Sequence, residues 1–159
     1  MRESDRDALI IVASCIVIGL SLYSLTGVQD TSFGAVEVHS IHAEGNLLSL
    51  HTGCHVLDMS TSRSQVSAIN QEFENQTTRP MTHDLSIDLV ESTGETIEAV
   101  EIHNFENGTY YSDIVLSNGE TVDARPSDAV ALSVRTDSTV KVDRNLLHSE
   151  GEMVCDHFV

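Results

Sequence analysis

Lysine occurs once in this chain, at Lys141, and the basic residues together number 8 against 25 acidic ones in 159 positions. Affinity for a phosphate backbone comes mainly from Lys and Arg displacing counterions, so a formal charge of -17 excludes a protein that grips nucleic acid by charge alone. Tryptophan is absent and aromatics make up 4% of the chain, a composition that with the acid excess is shared by disordered proteins. A hydrophobic fraction of 40% and clear strand and helix patterns argue for a folded domain instead. An acid-rich, lysine-poor coat on a folded protein is a halophile's surface, because the Debye length falls to about 3 Å at 1 M salt and self-repulsion is screened. The Cys-x-x-Cys-His needed for covalent haem is missing. Proline occurs twice, each time after an arginine, at Arg79-Pro80 and Arg125-Pro126.

The length allows one domain of about 125 residues plus a short extra segment. Residues 8–28 carry no charge over 21 positions. As a helix they span roughly 32 Å, against a hydrocarbon core of about 30 Å. A transmembrane helix is the first reading, with a cleaved signal peptide and a buried core helix as alternatives. Arg2 and Arg6 precede the run and no Lys or Arg occurs between Gln29 and Ser62, so the N-terminus is placed in the cytoplasm and the soluble domain outside. The expected organisation is a tail over residues 1–7, the span over 8–28, a linker over 29–34, a domain over 35–151 and a C-terminal tail over 152–159.

Within the domain, residues 35–41 largely alternate apolar and polar and read as one strand, followed by a turn at Glu44-Gly45-Asn46 and short strands over 47–50 and 55–57. Val66, Ile69 and Phe73 recur at helical spacing behind Ser60 or Ser62 as N-cap. A second helix over 83–93 is expected to bury Leu85, Leu89 and Val90 or Ile87, with Gly94 supplying the left-handed position after its end. Strands over 97–105, 110–116 and 120–124 are joined by Asn107-Gly108 and Asn118-Gly119 turns. A helix over 126–135, a strand over 139–142 and a short helix capped by Asp143 complete the chain. With no useful βαβ repeat, the pattern predicts an α+β fold, an antiparallel or mixed sheet with helices packed on one face.

The two Arg-Pro pairs mark helix entrances, with Thr82 or Ser127 near the start and Asp84 or Asp128 in the first turn, where a carboxylate complements the macrodipole. Outward-pointing backbone N–H groups flanked by Arg79 and Arg125 suit a phosphate or carboxylate. The plain structural reading is capping by the aspartates and an Arg-Asp bridge from Arg79 or Arg125 tying the entrances together.

From the stretch Arg79 to Leu85 (RPMTHDL), the Asn107-Gly108-Thr109-Tyr110-Tyr111 hairpin and the stretch Asp123 to Thr136 (DARPSDAVALSVRT), the chain resembles the bifunctional nuclease domain family, over about residues 35–151 and most strongly over 77–136. The resemblance implies a nuclease hydrolysing phosphodiester bonds of DNA or RNA, and carries over Arg79, His83, Asp84, Asp123, Arg125, Ser127 and Asp128. In that scheme His83, Asp84, Asp123 and Asp128 are catalytic, with His83 as general base, and Arg79, Arg125 and Ser127 hold the phosphate. Asp84, Asp88 and Asp128 would hold Mg²⁺ or Mn²⁺ through oxygen. The family pattern has a Glu in its first helix entrance, where this chain has Gln65, which removes a charge that would bind metal or a proton.

The alternative class is a non-catalytic, membrane-tethered binding module. Tyr110 and Tyr111 offer stacking surfaces for bases, against the plainer reading of packed hairpin tyrosines. His51-x-x-Cys54-His55 and Cys155-x-His157 supply soft donors for Zn²⁺ in no standard spacing. Cys54 and Cys155, the cysteines outside the apolar run, are alternatively a disulfide or two free buried thiols. Exposed hairpin edges lead to the expectation of a homo-oligomer.

Overall fold

The structure, a computed structural model, describes residues 34–73 and 79–155, so the expected span over 8–28 lies outside it. Among the described residues no helix is long and apolar enough to cross a membrane. The fold is α+β and holds two sheets. A five-stranded mixed sheet runs in the order β1 (Val36–Glu37), β8 (Thr139–Val142), β5 (Ile97–Glu106), β6 (Thr109–Leu116), β7 (Thr121–Ala124), with β8 and β5 parallel and the other pairs antiparallel. A four-stranded antiparallel sheet runs β2 (Ser40–Glu44), β3 (Leu47–Thr52), β4 (His55–Ser60), β9 (Glu152–Met153).

The single strand expected over residues 35–41 is instead a crossing between sheets. Val38 N–H donates to the Val140 carbonyl at 2.8 Å, while the next residue, His39, donates to His51 at 2.9 Å, so adjacent residues join different ladders. Period-two alternation cannot show this, because both halves keep the same side-chain rhythm. Glu152 and Met153, read from sequence as the start of a tail, pair with Val56 and His55. Cys155 just beyond them bonds Cys54 in the β3–β4 turn, a disulfide across 101 residues. With both sulfurs joined, neither thiolate is available to Zn²⁺, and the zinc reading falls.

The helices among the described residues are α1 (Arg63–Phe73), α2 (Thr82–Ser92), α3 (Pro126–Thr136) and α4 (Arg144–Glu150). Helix α3 is central, packing on α1, α2 and strands of the mixed sheet, with Ala129, Val130, Ala131 and Leu132 all buried. One apolar core joins it to Leu48, Leu50 and Leu57 of the second sheet, Ile69 of α1 and Val100, Ile102 and Val142 of the first. The β5–β6 turn has Asn107 at φ 52 and Gly108 at φ 79, the paired left-handed conformation that Asn-Gly hairpins supply.

Helix α2 bears out the expectation for Ile87 and Val90 but not for the two leucines. Leu85 and Leu89 are 55% and 60% exposed, whereas Ile87 and Val90 pack on the core. At about 100° per residue, positions 83, 84, 87 and 90 share one face and 85 and 89 lie opposite it. The inward face is selected by His83 and Asp84, both of which engage α3. A hydrophobicity pattern that ignores those polar partners adds Leu85 and Leu89 to the inward face wrongly.

Candidate functional site

Three helix entrances meet. Asp128, in the first turn of α3, is the common partner: its Oδ2 accepts from Arg125 Nε at 2.7 Å, its Oδ1 accepts from Gln65 Nε2 at 3.3 Å, and His83 Nε2 lies 3.7 Å from Oδ1. Each neighbour arrives for a local reason. Gln65 sits at the third position of α1, where its Oε1 accepts from the N-cap Ser62 N–H at 3.4 Å, and Ser62 Oγ in turn accepts from Gln65 N–H at 3.4 Å. That reciprocal pair is a capping box, and Thr61 Oγ1 donates a further bond to Gln65 Oε1 at 2.6 Å. With its oxygen so occupied, the amide presents its N–H₂ to Asp128. Arg125 is the extended N-cap of α3, with Pro126 behind it, and is 75% exposed. His83 is 18% exposed, and its Nδ1 is buried without a hydrogen-bond partner.

Asp84 belongs to a different assembly. Its Oδ2 accepts from Met81 N–H at 2.6 Å, capping α2, and its Oδ1 accepts from Arg135 Nε at 3.0 Å. Arg135, on α3, has a side chain only 5% exposed and also donates to the carbonyls of Ala131 at 2.5 Å and Ala68 at 2.7 Å. One guanidinium thus ties α1, α2 and α3 together. Arg125 pairs with Asp128 within its own helix start, and it is Arg135, in the last turn of α3, that joins the α2 entrance to α3. Sequence reading passed over Arg135; the available signal was a cation seven residues after Asp128, on the same face of a helix otherwise apolar there.

The remaining candidates are dispersed. Asp88 is exposed one turn beyond Asp84, and Asp123 is exposed on β7 opposite Asp113. Arg79 is exposed and takes no part in the contacts above. Asp84, Asp88 and Asp128 do not gather, and among the described residues no group of three or more His, Cys, Asp or Glu side chains could hold a metal ion. The donor set therefore does not fit a resident divalent cation.

Beside the cluster lies an open cleft of about 270 Å³ whose lining includes Met59, Gln65, Tyr110, Arg125 and Ser127. Tyr110 packs against Phe105 with ring centroids 4.4 Å apart. Its hydroxyl is pushed above the ordinary tyrosine value by burial first, then by the Glu150 and Asp58 carboxylates.

A carboxylate, an imidazole, an amide and an exposed guanidinium thus converge at helix N-termini of an α+β domain. Comparison with known proteins gives the family. The model of the bifunctional nuclease domain matches residues 47–154, and the chain belongs to that family. It is similar to two proteins of Mycobacterium tuberculosis, from two strains and both described as uncharacterized, at 32% identity over 111 residues, covering 69% of this chain and 68% of each relative.

Proposed function

We propose that the chain is a phosphodiester hydrolase of DNA or RNA whose reaction centre is the Asp128 cluster. The supporting observation is the convergence of His83, Gln65 and Arg125 on one carboxylate beside an open cleft. The 3.7 Å between His83 Nε2 and Asp128 Oδ1 is too long for a direct bond, and both atoms can reach one water that sits beside the pair rather than between them. In the Nδ1–H tautomer, His83 Nε2 takes the proton from that water while Asp128 orients it. The hydroxide oxygen then bonds to phosphorus, the bond from phosphorus to the leaving sugar oxygen breaks, and that oxygen is protonated by solvent. Arg125 holds Asp128 through Nε, which leaves its terminal nitrogens for the phosphate oxygens.

The test is cleavage of a single-stranded oligonucleotide by the full chain. His83→Asn should slow cutting by about 10²–10⁴-fold, the usual weight of a general base. Unchanged cutting by that variant would refute the assignment. A cation carried in by the substrate's own phosphate oxygens needs no preformed cage, so cleavage is measured with Mg²⁺, with Mn²⁺ and with chelator. A non-catalytic binding module is the second reading, favoured by the neutral Gln65 amide on Asp128 and by the acidic surface. Absence of cutting by the parent chain under all three conditions, at low and molar salt, selects it.

We also propose that residues 8–28 tether the domain to a membrane with the domain outside, in keeping with the oxidising compartment that the Cys54–Cys155 disulfide calls for. Intact chain left in solution after membranes are pelleted would refute this. Homo-oligomer formation is proposed through the exposed Met81, Leu85 and Leu89 stripe of α2. Sedimentation as a monomer at every concentration would rule it out.

A further inference from the structure

We propose that the cleft next to Asp128 is a nucleoside pocket, which takes one unstacked base of a single-stranded substrate and so makes single strands the substrate class. This rests on the hydrolase reading for its phosphate position but not for its chemistry. The cleft, at about 270 Å³, is lined by both apolar and polar side chains. Met59, 3% exposed, and the Tyr110 ring supply surface for a flat heterocycle. Tyr110 is braced from behind by Phe105, so presenting it to a base costs little side-chain freedom.

The polar lining offers hydrogen-bonding groups to a base. Ser127 is 8% exposed and lines the cleft, where its hydroxyl offers a polar contact to a ligand. Gln65 gives one amide hydrogen to Asp128, which leaves the second for a base edge. Arg125 stands where cleft and cluster join, placing a phosphate beside a base in the slot.

The charge of the chain points the same way. With 25 acidic against 8 basic residues, phosphate attraction supplies little affinity, and stacking in an apolar slot is the contribution that salt does not weaken. A base inside a duplex would have to leave its stack and its pairing partner to enter, whereas a single strand offers it freely.

The experiment compares adenosine 5′-monophosphate with ribose 5-phosphate, by isothermal titration of the full chain in mild detergent. The nucleotide should bind at least tenfold more tightly. Ser60→Trp, at an exposed position on the cleft rim, should reduce the nucleotide to the affinity of the sugar phosphate; Thr109→Trp plugs the cleft from the opposite hairpin should the first variant fail to fold. Equal affinities in the parent, or a preference for the nucleotide that survives both plugs, overturns the pocket. Binding of neither probe by a chain that still cuts oligonucleotide overturns the pocket and leaves the hydrolase reading standing. A nucleotide preference abolished by plugging in a chain that cuts nothing upholds the pocket and removes the hydrolase.

Discussion

Replacing Arg135 with methionine keeps most of the volume of the side-chain stem and removes the guanidinium that joins three helices. The Ala68 and Ala131 carbonyls lose a charge-assisted bond each but stay in their helical ladders, so each loss is worth about 1 kcal/mol. The pair with Asp84 is discounted to about 1 kcal/mol, because that carboxylate is 38% exposed and water takes over part of the solvation. Relief from burying a cation offsets some of this, leaving a net destabilisation of about 2–3 kcal/mol. For a domain of this size the melting midpoint should fall by roughly 8–12 °C. Circular dichroism melts of the parent, Arg135→Met, Asp84→Asn and the double variant provide the assay. The double variant should lose less than the sum of the singles, since each removes the same contact. A midpoint within about 2 °C of the parent for Arg135→Met, or strict additivity, would refute the claim that this ion pair holds α2 against α3.

Reducing the Cys54–Cys155 bond, which closes a loop across 101 residues, should lower stability by up to about 4–5 kcal/mol, read as a denaturation midpoint with and without reductant. No change would mean that the bond does not constrain the unfolded chain. Because the folded state raises Tyr110 above its ordinary 10.0, the unfolded chain loses that proton first; stability should be unaffected below pH 10 and fall as pH rises from there to the folded value. Tyrosinate absorbance should show Tyr110 losing its proton later in the folded chain than in the unfolded one, and the absence of that change would count against its burial. The acidic coat predicts a midpoint markedly higher in molar KCl than in dilute buffer. Equal midpoints would remove the halophilic interpretation.

Much of the fold could be read from local chemistry because that chemistry is itself local. The Asn107-Gly108 turn, the Asp143 cap, Pro126 at the first position of α3 and Gly94 at φ 89 after α2 each depend on a few neighbouring residues. What could not be read depends on partners far away in the chain. The orientation of α2 is decided by Asp84 meeting Arg135, 51 positions later, and the split between β1 and β2 by which ladder each N–H reaches. The candidate site divides along the same line. Both arginine-proline entrances are helix starts as read, and His83, Arg125 and Asp128 converge. Asp84 is drawn away by Arg135, while Asp88, Asp123 and Arg79 stay at the surface. Gln65 appeared in the sequence only as a lost carboxylate; in the fold it is a donor to Asp128, positioned by its own capping box.

The central claim is that Asp128 serves the reaction and Asp84 serves the fold. The most direct measurement is oligonucleotide cleavage per folded molecule for Asp128→Asn and Asp84→Asn, each paired with a thermal melt of the same sample. Asparagine preserves volume in both, so the account predicts that Asp128→Asn loses at least about 100-fold in rate with a midpoint near that of the parent. Asp84→Asn should melt earlier yet retain its rate once the folded fraction is allowed for. The opposite pattern, with Asp84→Asn inactive at parental stability and Asp128→Asn active, would contradict the account.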